Sequence, residues 1–175
     1  MELQTHLAAL AQPDAAARRA ALEAAFAAEG LVPELQTEEA DETHPDPACN
    51  YLLFPESDAL CPLLCAHYDG HPGSPGANDN AAAVCILLAL AKATREQGIP
   101  VGFAFLDAIA AHGGGFLGRP PEMQMMLGEM EVMSTMHGGF RDKVQWVQPA
   151  AMQQVYDYLL DALTAPPPAK RFGLF

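Results

Sequence analysis

Two histidines, two aspartates and two asparagines crowd the sixteen residues from Cys65 to Asn80, CAHYDGHPGSPGANDN, among three glycines and two prolines. A histidine at the carboxyl end of a buried strand can turn its imidazole into the cleft above a sheet, where a ring nitrogen can bind a metal. His67 stands at such a place. Asp69, two residues on, can accept the proton of the other ring nitrogen, the usual partner of a metal-bound histidine. Asp79 falls where the next helix begins and can bring a carboxylate to the same cleft, although a plain helix N-cap by Asp79 or Asn80 is the competing reading. His71 lies in the same loop, either as an auxiliary ligand or as a solvated side chain.

These residues need a scaffold, and the flanking sequence predicts one. Ala59–Ala66 is an apolar strand, residues 80–97 are a helix that is apolar nearly all round, and Val101–Leu106 is a second buried strand. Strand, crossover helix and strand make a right-handed βαβ unit with a parallel pair. Ligands of such sheets bind beyond the carboxyl ends of the strands. The loops at that edge, 66–79 and 107–118, both hold Gly, His and Asp. Upstream, Asp14 can cap a helix that Gly30 ends. Residues 31–36 form an edge strand marked by Pro33, and residues 37–47 an exposed acidic loop. Asn50–Phe54 and Ala59–Ala66, close in sequence, are expected to pair as a hairpin. Pro149 opens a last helix with Met152, Val155, Tyr156, Leu159, Leu160 and Leu163 on one face. An apolar tail, residues 166–175, follows it.

A chain of 175 residues can bury a core as one domain, residues 1–175. Its net charge of -13 argues against nucleic acid and anionic membranes as partners. The first residues lack a basic region and a strong apolar run, so no secretory signal is expected. No apolar stretch reaches the ~18 residues of a membrane span. Four cysteines are too few for a disulfide framework, and Cys61 and Cys65 are expected as buried thiols in an apolar strand. A reducing cytoplasm is the expected location. Six methionines between Met123 and Met136 suit adaptable packing, either over the domain or in a homodimer.

The run AHYDGHPGSPGANDNAAAVCILLALAKA resembles the signature of the co-catalytic zinc aminopeptidases, the exopeptidase family that also includes glutaminyl cyclases. The resemblance implies an α/β fold, a three-layer αβα sandwich with a mixed, partly parallel sheet of five or six strands. It implies that His67 binds the first zinc, Asp69 orients it, Asp79 bridges two zincs and His137 binds the second. Gly138 stands where the family usually has Thr. The family also carries a Glu-Glu pair after the strand corresponding to residues 101–106, as general base and as ligand. Ile109 and Ala110 occupy those positions. A further Asp ligand is missing, because the 24 residues between His112 and His137 contain no Asp, as in a large internal deletion. His67, Asp79 and His137 suffice for one zinc with an open water position. A replacement base would come from His112, Glu122, Glu129 or Glu131. Two functions are therefore expected: an impaired zinc hydrolase of peptide or amide bonds, with at most one zinc, or a non-catalytic metal- or protein-binding module on the same fold.

Overall fold

The computed structural model describes residues 2–37, 48–56, 60–71, 73–107 and 142–165. In chain order these form α1 (Leu7–Leu10), α2 (Ala15–Glu29), β1 (Glu34–Thr37), β2 (Cys49–Leu53), β3 (Leu63–His67), α3 (Ala82–Glu96), β4 (Gly102–Leu106) and α4 (Pro149–Thr164). The fold is α/β with a mixed sheet. It has four strands among the described residues, in the order β1-β2-β4-β3, where the sequence predicts five or six.

Local chemistry accounts for α2. The Asp14 carboxylate accepts from the Ala17 N–H at 2.7 Å, and Gly30, at φ 66°, turns the chain out of the helix. Between them Leu22, Ala25 and Phe26 bury one stripe. β1 lies at the sheet edge, as Pro33 predicts.

β3 and β4 pair in parallel across the crossover helix α3, with Ala66 opposite Phe105. The hairpin expected between β2 and β3 does not form. β4 lies between them, pairing antiparallel with β2 so that Tyr51 faces Phe105. The reason is burial: β4, Gly-Phe-Ala-Phe-Leu, is buried at four of its five positions, and a strand apolar on both faces takes the centre of a sheet.

Tyr51, Ala66, Phe103 and Phe105 join one core with α2 and α3. Phe26 meets Phe105 edge-on, ring centroids 5.0 Å apart. Ten residues of α3 are buried, as its apolar circumference predicts. Met152 is buried on α4, and Tyr156, Leu159, Leu160 and Leu163 pack on the same core. Val155 departs from expectation: it flanks that stripe and is 48% exposed.

The alternation of β3 sends Leu63 and Cys65 to the sheet face opposite this core, where both are exposed. Cys65 is thus not the buried thiol expected, and Cys61, ahead of the strand, is only half-buried; Cys49 and Cys85 are the buried pair. No described helix is long and apolar enough to cross a membrane. The Met-rich segment and the tail 166–175 lie outside the described residues.

Candidate metal site at the carboxyl edge of the sheet

His67 is the last residue of β3, and the loop beyond it winds back to present Asp69 and Asp79 to the two sides of its ring. Nδ1 lies 3.0 Å from Asp69 Oδ1, and Nε2 lies 3.1 Å from Asp79 Oδ1. A neutral imidazole has one N–H, so both carboxylates are satisfied together only when the ring carries two protons. Hydrogen bonding to Asp69, then to Asp79, accordingly raises the His67 pKa to about 9, against the opposing effect of burial.

The same geometry suits a metal. Two zinc ligands with bonds of ~2.0–2.1 Å at a tetrahedral angle stand roughly 3.3 Å apart, close to the 3.1 Å between Nε2 and Asp79 Oδ1. A cation in place of the Nε2 proton would leave Asp69 holding the Nδ1–H. Two donors and an orienting carboxylate therefore fit. Among the described residues no group of three or more His, Cys, Asp or Glu side chains is arranged to hold a metal ion. His137, the third expected ligand, lies outside them, as do His112, Glu122, Glu129, Glu131, Ile109 and Ala110. His71 is half-buried in the loop, and its carbonyl accepts from the Ser74 N–H at 3.0 Å.

The N-cap alternative for Asp79 and Asn80 does not hold. Helix α3 starts after Ala81 with no side-chain cap, and Asp79 (φ -121°, ψ 85°) and Asn80 (φ -140°, ψ 24°) leave helical geometry in a wide turn over residues 77–81. The Asp79–Asn80 peptide is cis.

Four residues to which the sequence alone assigns no site role frame this edge. Asp142, fully buried, accepts from the N–H groups of Asn78 at 2.6 Å and Asp79 at 2.9 Å. Arg18, 3% exposed, donates to the carbonyls of Ser74 and Pro75, each at 3.1 Å. Asp107, just past β4, accepts from the Cys49 N–H at 3.1 Å, while its own N–H donates to Asn50 Oδ1 at 2.9 Å. The Tyr68 hydroxyl lies 2.9 Å from Asp107 Oδ2 and 2.7 Å from the Cys49 carbonyl oxygen. Burial, then the charge of Asp107, raises the Tyr68 pKa, so the phenol stays a donor. Asp142 stands 64 residues from Asn78, so no local pattern reveals the contact. The signal for Arg18 was a cation on the apolar stripe of α2, in line with Leu22 and Ala25.

A cavity of about 700 Å³ lies at the other end of the sheet, between Val32, Phe54, Arg95 and Ile99. It holds none of the candidate ligands.

Residues 54–108 match the model of Peptidase family M28. No curated protein matches the chain. Among solved structures, Porphyromonas gingivalis glutaminyl cyclase is similar at 26% identity and TM-score 0.48, over 61% of this chain and 43% of that one. Acidobacteriales bacterium glutaminyl cyclase is similar at 16% identity and TM-score 0.49, over 77% and 52%. A Zn-dependent exopeptidase from Parabacteroides distasonis is similar at 18% identity and TM-score 0.43, over 61% and 46%. The chain thus spans about half or less of the length of these structures. The stretch AHYDGHPGSPGANDN, on which the family resemblance rests, lies within residues 54–108, which run from just after β2 to just past β4 and match the model of Peptidase family M28.

Proposed function

We propose that this chain binds one zinc ion through His67, Asp79 and His137, with Asp69 orienting His67, and that it is an impaired relative of peptide- and amide-hydrolysing exopeptidases. The observation that carries the reading is the 3.1 Å approach of His67 Nε2 to Asp79 Oδ1 with Asp69 behind Nδ1. The M28 match over the same residues supports it. Zinc bound there would lower the pKa of a coordinated water toward ~7. The chain's own part is to fix the ligands and to remove a proton. Asp69 does the first by holding the ring, and Asp142 by holding the backbone of Asp79. The second step is where the chain falls short: Ile109 and Ala110 cannot take a proton, and His112, Glu122, Glu129 and Glu131 are the remaining candidates for a base.

Metal content decides the first half of the proposal. Protein prepared without chelator or affinity-tag metal is expected to carry about one zinc per chain, lost in His67→Ala, Asp79→Ala and His137→Ala. No uptake even with added zinc would overturn it. The second reading, a non-catalytic module on the same fold, is favoured by Ile109 and Ala110. Zinc-loaded protein that turns over aminoacyl amides no faster than His67→Ala would establish that reading. We take the chain to be cytoplasmic and to form a homodimer through its Met-rich segment, which a concentration series in analytical ultracentrifugation tests.

A further inference from the structure

Arg18 lies on α2, yet its guanidinium is buried under the loop that carries the candidate ligands. Nε donates to the Gln12 carbonyl at 3.0 Å, which ties the α1–α2 connection to the same group, and Nη2 also meets that oxygen. Nη1 reaches the Tyr68 carbonyl at 3.4 Å, and Nη2 reaches those of Ser74 and Pro75 at 3.1 Å. The loop between His67 and Asp79 is thus wound around one cation, gripped through its backbone. Asp69, Asp142 and Asp79 surround that cation as counter-charges.

The glycines show how tight the winding is. A Cβ at Gly70 would stand 2.1 Å from Arg18 Nη1, and one at Gly76 would stand 2.8 Å from Nη2. Gly76 has φ +62°, so its backbone alone favours glycine. Gly70 shows no such φ. What bars a side chain at Gly70 is the guanidinium, and the guanidinium has nowhere to go, since carbonyls hold it and it is 3% exposed.

We infer that Arg18 is a positioning residue for the metal site: by gathering the carbonyls of Tyr68, Ser74 and Pro75 it sets where Asp69 and Asp79 stand against His67. This rests on the zinc reading above. It assigns to a residue on α2 a part of the site's affinity, and it makes Gly70 a consequence of Arg18 rather than of the turn.

The pair Arg18 and Gly70 allows a double-mutant cycle, with zinc alone as the titrant and thermal melting followed in parallel. Arg18→Met and Gly70→Ala are each expected to weaken zinc binding by at least about tenfold, the range found when partners of metal ligands are removed. In Arg18→Met/Gly70→Ala the added methyl no longer meets a guanidinium, so zinc binding should match Arg18→Met alone. A purely structural Arg18 would lower the melting temperature while the folded protein kept its zinc affinity; that result overturns the inference, as does simple addition of the two losses. Should Arg18→Met fail to fold, Gly70→Ala alone decides, because unchanged affinity there also overturns it. Wild-type protein that takes up no zinc overturns the zinc reading itself and the positioning role with it, whatever the variants do.

Discussion

Replacing Asp142 by Ala removes the acceptor for two backbone donors at once, the N–H groups of Asn78 and Asp79. A hydrogen bond to a charged group contributes about 1.5–3 kcal/mol. Asn78 is exposed, so water can partly replace the carboxylate, and the lower figure applies to each bond. The loss is then about 3 kcal/mol, a large share of the ~5–15 kcal/mol of a typical domain. Asp142→Asn keeps one acceptor oxygen and turns an amide N–H toward the other donor, so it should lose about half as much. Urea unfolding is the assay. With m near ~2 kcal/mol/M, the Asp142→Ala midpoint should fall by about 1.5 M with m unchanged. A shift below about 0.5 kcal/mol in Asp142→Ala, or an Asn variant worse than the Ala variant, would refute the reasoning that this carboxylate holds the turn before α3.

Two further outcomes follow from charge and burial. Glu29 accepts from His6 Nε2 and Lys92 Nζ, both at 2.9 Å, and these contacts hold its pKa below the usual carboxylate value. Its contribution to stability is therefore complete above the unfolded value of about 4.3 and vanishes as pH falls through the lower folded value; Glu29→Gln should be less stable at pH 7 and should show a shallower acid loss in urea midpoints measured from neutral pH downward. Thiol labelling should separate the cysteines, with exposed Cys65 reacting first in the native protein and Cys85, whose pKa burial pushes up to about 12, reacting only on unfolding; native-state labelling of Cys85 at the rate of Cys65 would contradict the buried α3.

The legible parts of this chain are those whose chemistry is local. Asp14 and Gly30 mark α2 because caps act within a turn of the residues they serve. His67, Asp69 and Asp79 could be read together because one short loop carries all three, and no partner from elsewhere is needed to suggest the cleft. The expected β2–β3 hairpin fails for the same reason: closeness in sequence favours pairing, yet β4, far along the chain, outcompetes it by burying Phe103 and Phe105. Arg18 and Asp142 stayed hidden because each acts on backbone groups far away, 56 residues for Arg18 on Ser74 and 64 for Asp142 on Asn78. A residue that binds main-chain atoms leaves no complementary side chain in the sequence to betray it. Cys65 shows the limit of composition, since the apolar run Leu63–Ala66 still sends alternate residues to a face that is exposed among the described residues.

The place of β4 in the sheet has a consequence for how the chain comes off the ribosome. β1 and β2 can pair as soon as both have emerged, but the other edge of β2 has to wait for β4, roughly 50 residues later. At ~5–20 residues per second that edge stays open for roughly 3–10 s, with unpaired N–H and C=O groups on a strand that carries Tyr51 and Leu53. Closing so long a loop before its contacts can reward it also slows the final step. Nascent chains should therefore be most prone to pair with one another in that interval, and slowing initiation, which spaces ribosomes along the message, should raise the soluble yield.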